Sequence, residues 1–123
     1  MYVTTFQRED TMAYPKKDRM KDYLFEAILS LETVEDCYDF FDDLCTIKEL
    51  SEMAKRMSGA KMLDDNRVYT DITEKTGLST ATISRINRCL KYGSGGYRNV
   101  LDKLGERGVE PPREIMKEGD GNA

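Results

Sequence analysis

The sequence predicts an all-α fold, and three observations predict it. Apolar residues recur three and four positions apart over most of residues 21–106. Helix-start patterns stand at Thr33/Asp36 and, more fully, at Thr46/Glu49, where a hydroxyl precedes a carboxylate by three residues. No stretch alternates apolar and polar residues as a half-buried strand would. A chain of 123 residues is one domain's worth and can bury a single core.

Residues 1–20 mix polar positions with Tyr14-Pro15 and show no period, so they are expected to form a partly disordered N-terminal arm able to pack on a partner subunit. Leu24, Ala27, Ile28 and Leu31 define a first helix over 21–31. A second, over 34–45, carries the stripe Val34, Cys37, Tyr38, Phe41, Leu44 and Cys45, widened by Phe40, opposite Glu35, Asp36, Asp39, Asp42 and Asp43. The third, over 47–63, is expected to bury Ile47, Leu50, Met53, Ala54, Met57, Ala60 and Leu63. Polar residues at 63–67 form a turn, followed by a short helix at 68–75 and a longer one at 80–92. Gly93 suits a left-handed cap on the latter. A last helix, 97–106, presents Tyr97, Val100, Leu101 and Leu104. Residues 107–123, with Gly108, Pro111 and Pro112, read as a flexible tail, leaving 21–106 as the folded domain.

The aromatic and methionine side chains of the first three helices are numerous for so short a chain. A dimer core would cover them, and a monomeric bundle burying them internally is the alternative.

Several function classes are excluded or disfavoured. Hydrophobic residues make up 39% and charged ones 34%, an ordinary soluble balance. No run of eighteen apolar residues exists and the N-terminus lacks the apolar core of a signal peptide, so a cytoplasmic protein without a membrane partner is expected. Cys37, Cys45 and Cys89 are odd in number and lack CxxC spacing, and are read as reduced thiols. Histidine is absent, which removes the commonest general base and metal ligand. With no phosphate loop or nucleophile motif, neither enzyme, cofactor nor metal is expected.

The net charge of −4 hides a segregation. Residues 22–53 hold ten acids against one base, whereas residues 66–100 hold six bases against two acids. From Thr76 to Val100 there is no acid at all, and Arg85, Arg88, Lys91 and Arg98 stand unopposed along the sequence. The local field, more than the total, governs phosphate contact.

That window overlaps YTDITEKTGLSTATISRINRCLK, residues 69–91. A helix-turn-helix needs two short helices crossing steeply through a tight turn. Gly77 can take the positive φ of such a turn. Ile72 is spaced to reach Ile83 and Ile86, Leu78 fills the angle, and Ser79 can cap the second helix. Thr73 stands where alanine is usual at the crossing, and Thr76 where an apolar residue is usual. The remaining face of the second helix shows Ser79, Thr80, Ala81, Ser84, Arg85 and Arg88. Small hydroxylated residues at its start admit close approach to base edges in a major groove, and the arginines can reach guanine or phosphate. Lys91 and Arg98 are expected to hold phosphates. A helical hairpin packing on protein is the plainer alternative.

The stretches LFEAILSL (24–31), CYDFFDDLCTIKELSEMAKRMSGAKML (37–63), ITEKTGLSTATISRINRCLKYGSGGY (72–97) and VLDKL (100–104) resemble the tryptophan-repressor superfamily, in its YerC/YecD-type branch. The resemblance implies six helices and an intertwined homodimer, with a helix-turn-helix over 69–92 as the DNA-reading head of each subunit. It also implies transcriptional regulation, by repression. For an effector pocket, Thr46, Arg56, Thr82 and Arg85 stand at positions matching the repressor's tryptophan site. Two departures count against that ligand: Ile86 replaces a glycine that leaves room for the ring, and Cys89 replaces a serine near the ligand's amino group. A branched side chain in that space would overpack it by about 1–3 kcal/mol or more. Tryptophan is therefore not expected to bind in the repressor's manner, and the existence of a small-molecule effector stays open.

These readings converge on a sequence-specific regulator of double-stranded DNA. The alternative is a protein-interaction module docking a basic partner on the acidic helices of residues 22–53.

Overall fold

The computed structural model describes residues 18–116. Among them are seven helices and no strand: α1 (Arg19–Leu29), α2 (Val34–Leu44), α3 (Ile47–Asp64), α4 (Tyr69–Thr76), α5 (Thr80–Tyr92), α6 (Gly96–Glu106) and α7 (Arg113–Met116). The all-α expectation holds. The expected N-terminal arm lies outside the described residues up to position 17, as does the end of the tail from position 117. The described residues fall into two compact units, which divide between Thr46 and Ile47.

In the first unit, α1 begins two residues earlier than the apolar period indicates because Asp18 caps it. The Asp18 carboxylate accepts from the backbone N–H groups of Met20 (3.0 Å) and Lys21 (3.1 Å). Thr33 caps α2, its Oγ1 accepting from the Asp36 N–H at 3.0 Å, while Asp36 reaches back to the N–H of Glu32 at 3.1 Å. This is a capping box displaced by one residue on its return arm. Neither helix contains a fully buried residue. Leu24, Ile28, Cys37, Phe40 and Phe41 are half-buried, while Tyr23 (81% exposed), Leu29 and Tyr38 face outward.

The second unit holds the core: Ala60, Met62, Ile72, Leu78, Ile83, Ile86, Leu101 and Ile115, flanked by Met57, Leu63, Tyr69, Leu90 and Tyr97. Helix α3 is its spine, with α4, α5 and α7 packed on it and α6 on α5. The buried part of α3 is Gly59, Ala60 and Met62; of the expected stripe Ala60 is buried and Met57 and Leu63 pack against the core, but Ile47 is 91% exposed and Ala54 is exposed as well, which corrects those two positions. A three-four period cannot choose between neighbours such as Met62 and Leu63, and it gives no weight to a glycine. At Gly59 a Cβ would stand 2.9 Å from Leu78 Cδ1, so the missing side chain lets the helical turn motif seat directly on α3.

Helix α3 ends where Asn66 takes a left-handed conformation (φ 65). The N–H of Asn66 donates to Leu63 O (2.9 Å) and that of Arg67 to Met62 O (3.0 Å), a Schellman closure with asparagine in the glycine position. At the other end of the head, Gly93 corrects the expectation of a left-handed cap. Its backbone is extended (φ −84, ψ −161), and the left-handed residue is Gly95 (φ 93). Gly93 is still sterically required, since a Cβ there would lie 2.5 Å from the Cys89 carbonyl oxygen.

The tail expectation is corrected in part. Residues 113–116 form α7, and Ile115 is buried in the core. Four residues are too few to show a period, so α7 left no helical signature in the sequence.

Candidate nucleic-acid interface

Helices α4 and α5 meet through Thr76-Gly77-Leu78-Ser79 as a helix-turn-helix. Gly77 is left-handed (φ 80, ψ 3), and its N–H closes α4 on Thr73 O at 2.8 Å. The four apolar residues assigned to the crossing are all buried: Ile72 and Ile83 completely, Leu78 and Ile86 to 3% exposure. Thr76 is accommodated in its buried place because its hydroxyl is fully used. Oγ1 donates to Ile72 O (2.7 Å) and accepts from the Leu78 N–H (3.1 Å), bracing the turn. Thr73 is not accommodated in that way, for its Oγ1 is buried with no hydrogen-bond partner among the described residues.

Ser79 caps α5, accepting from the Thr82 N–H at 3.2 Å, and its own hydroxyl donates to Thr82 Oγ1 at 3.1 Å. From that cap the helix turns one face to the core through Ile83 and Ile86. The opposite face leaves Thr80, Ala81, Ser84, Arg85, Arg88 and Lys91 exposed. No acid of α5 stands among them, and the three cations make no ion pair among the described residues.

Arg98 is the exception, and the picture of four unopposed cations is corrected there. Its guanidinium grips both oxygens of Asp64 at 2.8 and 2.9 Å and Oδ1 of Asp102 at 3.1 and 3.2 Å. Asp64 lies 34 residues away, so a sequence window free of acids is not a volume free of them. The Arg98 hydrogen bonds hold the Asp64 carboxyl below its ordinary value against the opposing effect of burial, with smaller help from the charges of Arg98 and Lys61. Asp64 and Asp102 in turn raise the guanidinium, and these ion pairs join the end of α3 to α6.

Sequence reasoning also missed a buried ion cluster on α4 and just ahead of its N-cap. Asp71 is 7% exposed. Its Oδ2 accepts from Arg67 Nε (2.7 Å) and Nη2 (2.6 Å), and its Oδ1 from Lys75 (2.9 Å). Burial pushes the carboxyl up, but the hydrogen bonds from Lys75 and Arg67, joined by their charges, outweigh it and hold the group below its ordinary value. The spacing Arg67-Asp71-Lys75, four and four, was a legible signal of a helical ladder.

The expected effector residues do not line the two apolar grooves described next. Thr46 belongs to the first unit and Arg56, Thr82 and Arg85 to the second. One apolar groove of about 310 Å³ runs between α3 and α6, lined by Met57, Leu101, Leu104, Val109 and Pro112. Another of about 450 Å³ is lined by Met57, Cys89, Tyr97 and Val100. None of the four residues borders them. No cluster of three or more metal-ligating side chains exists among the described residues. None of their helices is long and apolar enough to cross a membrane.

The Trp repressor protein family matches residues 20–105, which spans most of both units and the whole helix-turn-helix. The chain belongs to the Trp repressor family. Within the range of that match, α5 is this Trp repressor family member's second helix-turn-helix element. The chain is 51% identical over 89 residues to YerC, an uncharacterised protein of Bacillus subtilis, covering 72% of this chain and 86% of YerC. A TrpR-like protein from Eubacterium eligens superposes with a TM-score of 0.70 at 53% identity, over 72% of this chain and 92% of that one. A candidate Trp repressor from Staphylococcus aureus gives the same TM-score at 42% identity, over 78% of this chain and 93% of that one.

Proposed function

We propose that this Trp repressor family protein is a sequence-specific regulator of transcription, acting as a repressor, that binds double-stranded DNA as a homodimer. The observation that carries the reading is the exposed face of α5, where Thr80, Ala81, Ser84, Arg85 and Arg88 lie opposite a buried Ile83/Ile86 anchor. Thr80, Ala81 and Ser84 let the helix enter a major groove closely enough to touch base edges. Arg85 and Arg88 contact guanine or phosphate, and Lys91 holds phosphate. Ser79 contributes chiefly by keeping the helix start capped, with its hydroxyl already engaged. Arg98, neutralised by Asp64 and Asp102, acts through structure and makes no phosphate contact.

The homodimer is supported by the first unit. Its two helices carry exposed Tyr23, Leu29, Val34 and Tyr38 beside half-buried Phe40 and Phe41, with no fully buried residue of their own. An apolar surface of this kind marks a site of association. Two heads about 34 Å apart would read successive major grooves of a two-fold site.

Tryptophan is not the effector in this reading. Ile86 is committed to the core beside Gly59 and Leu78, so the volume a ring would need is filled.

The test is selection of bound duplexes from a random pool, followed by titration of the selected site with the parent and with Arg85→Ala and Arg88→Ala. A two-fold site and a loss of about 1–3 kcal/mol for each base-reading arginine are expected. Binding by the double variant equal to the parent at several salt concentrations would remove α5 as the reading element.

A further inference from the structure

We propose that α7 is an intramolecular latch on the DNA-reading head, and that Arg67 is the positioning residue through which it acts. The proposal rests on the reading of α4 and α5 as that head. Helix α4 is short, eight residues, and its N-cap Val68 offers no side-chain hydrogen bond. Helices of this length do not hold themselves together in water and depend on tertiary contacts.

Arg67 supplies those contacts from two directions. Its Nε and Nη2 fasten Asp71 in the first turn of α4, while its Nη1 donates to the carbonyl oxygens of Ile115 (3.1 Å) and Met116 (3.0 Å). One nearly buried guanidinium thus ties the start of α4 to carbonyls 48 and 49 residues further along the chain. The same joint is sealed by packing. Ile115 enters the core that holds Ile72, Leu78, Ile83 and Ile86, and α7 packs on both α3 and α4. The latch lies beyond residue 105, where the family match ends.

With α7 docked, α4 is held on α3 and α5 is presented at a fixed angle. With α7 undocked, Nη1 loses two acceptors inside the fold and Ile72 loses part of its cover. The head then opens more often, and DNA must order it on binding.

Hydrogen exchange of the full chain, resolved by helix, tests this in the parent, in Ile115→Asp and in Arg67→Lys. In Ile115→Asp the amides of α4 and of the 76–79 turn exchange faster by about tenfold or more, while those of α1 and α2 keep the parent rate. Arg67→Lys keeps a charge beside Asp71 but cannot span both partners, and it shifts the same amides in the same direction. Should Ile115→Asp fail to fold, Arg67→Lys alone decides. Affinity for the selected duplex falls by roughly three- to tenfold in both, with the ranking of sites unchanged because the reading side chains are untouched. Unchanged α4 exchange, or an equal loss of protection in every helix, overturns the latch. A parent that binds no duplex sinks the reading of the head instead, and the exchange rates still judge the latch.

Discussion

Thr73 and Thr76 stand three residues apart on α4 and place their hydroxyls in opposite circumstances. The Thr73 hydroxyl is buried without a partner among the described residues, whereas that of Thr76 makes two hydrogen bonds across the turn. A buried unpaired hydroxyl costs about 1–3 kcal/mol, and valine keeps the same shape without it. Thr73→Val is expected to stabilise the fold and raise the thermal midpoint, and Thr76→Val, which strands the Leu78 N–H, to destabilise it and lower the midpoint, by about 1–3 kcal/mol of stability each. Opposite signs in parallel melts check both, and equal signs contradict the pairing described. Asp71 gives a second prediction at this scale. Its folded carboxyl sits below its ordinary value, so its contribution is present in full above the unfolded value of about 4 and fades as pH falls through the lowered folded value. The urea midpoint of the parent should therefore drop as the solution is acidified below about pH 4, and Asp71→Asn should flatten that part of the profile. At higher pH the same substitution should be destabilising, because it leaves Arg67 and Lys75 without their anion.

Among the elements, α5 was the most legible. Its apolar spacing, its Ser79 cap and its acid-free outer face could all be read from consecutive letters, and the helix runs over the expected Thr80–Tyr92. The Gly77 turn was equally legible, because only a residue tolerant of positive φ serves there. The space around Gly77 is open, with Lys55 Nζ nearest at 4.0 Å from a built Cβ, so the cost of replacement is conformational and not steric. Gly77→Ala should lose about 1–2 kcal/mol in a denaturant titration, and Gly77→Asn clearly less. Elsewhere the period misled. On α3 it nominated Ile47 and Ala54, which are exposed, and passed over Gly59 and Met62, which the head packs upon. Helix α7 was hidden for a related reason: a single buried isoleucine in a stretch rich in proline and glycine carries no pattern.

At the scale of the whole molecule, the acidic first unit and the basic head have different work in the proposed dimer. The parent should sediment as a dimer. Phe41→Asp, on the apolar side of α2, should shift it toward monomer, and a monomeric parent of unchanged mass on dilution would contradict the proposed association. Salt sorts the two functional readings. If Arg88 holds a phosphate, Arg88→Ala should lower the slope of log affinity against log salt by about one. Binding that needs no DNA and follows the acidic residues of α2 would favour a basic protein partner instead.

The sequence by itself determined the all-helical class, the family, the place of the turn motif and the outward face of α5. Each of these is written in local spacing, where a helix repeats every few residues and neighbours in the chain are neighbours in space. Only the tertiary structure decided that Arg98 is spent on Asp64, that Gly59 makes room for Leu78, and that Arg67 reaches Ile115. Those partners lie far apart along the chain, and folding alone brings together charges and volumes that no window of sequence contains.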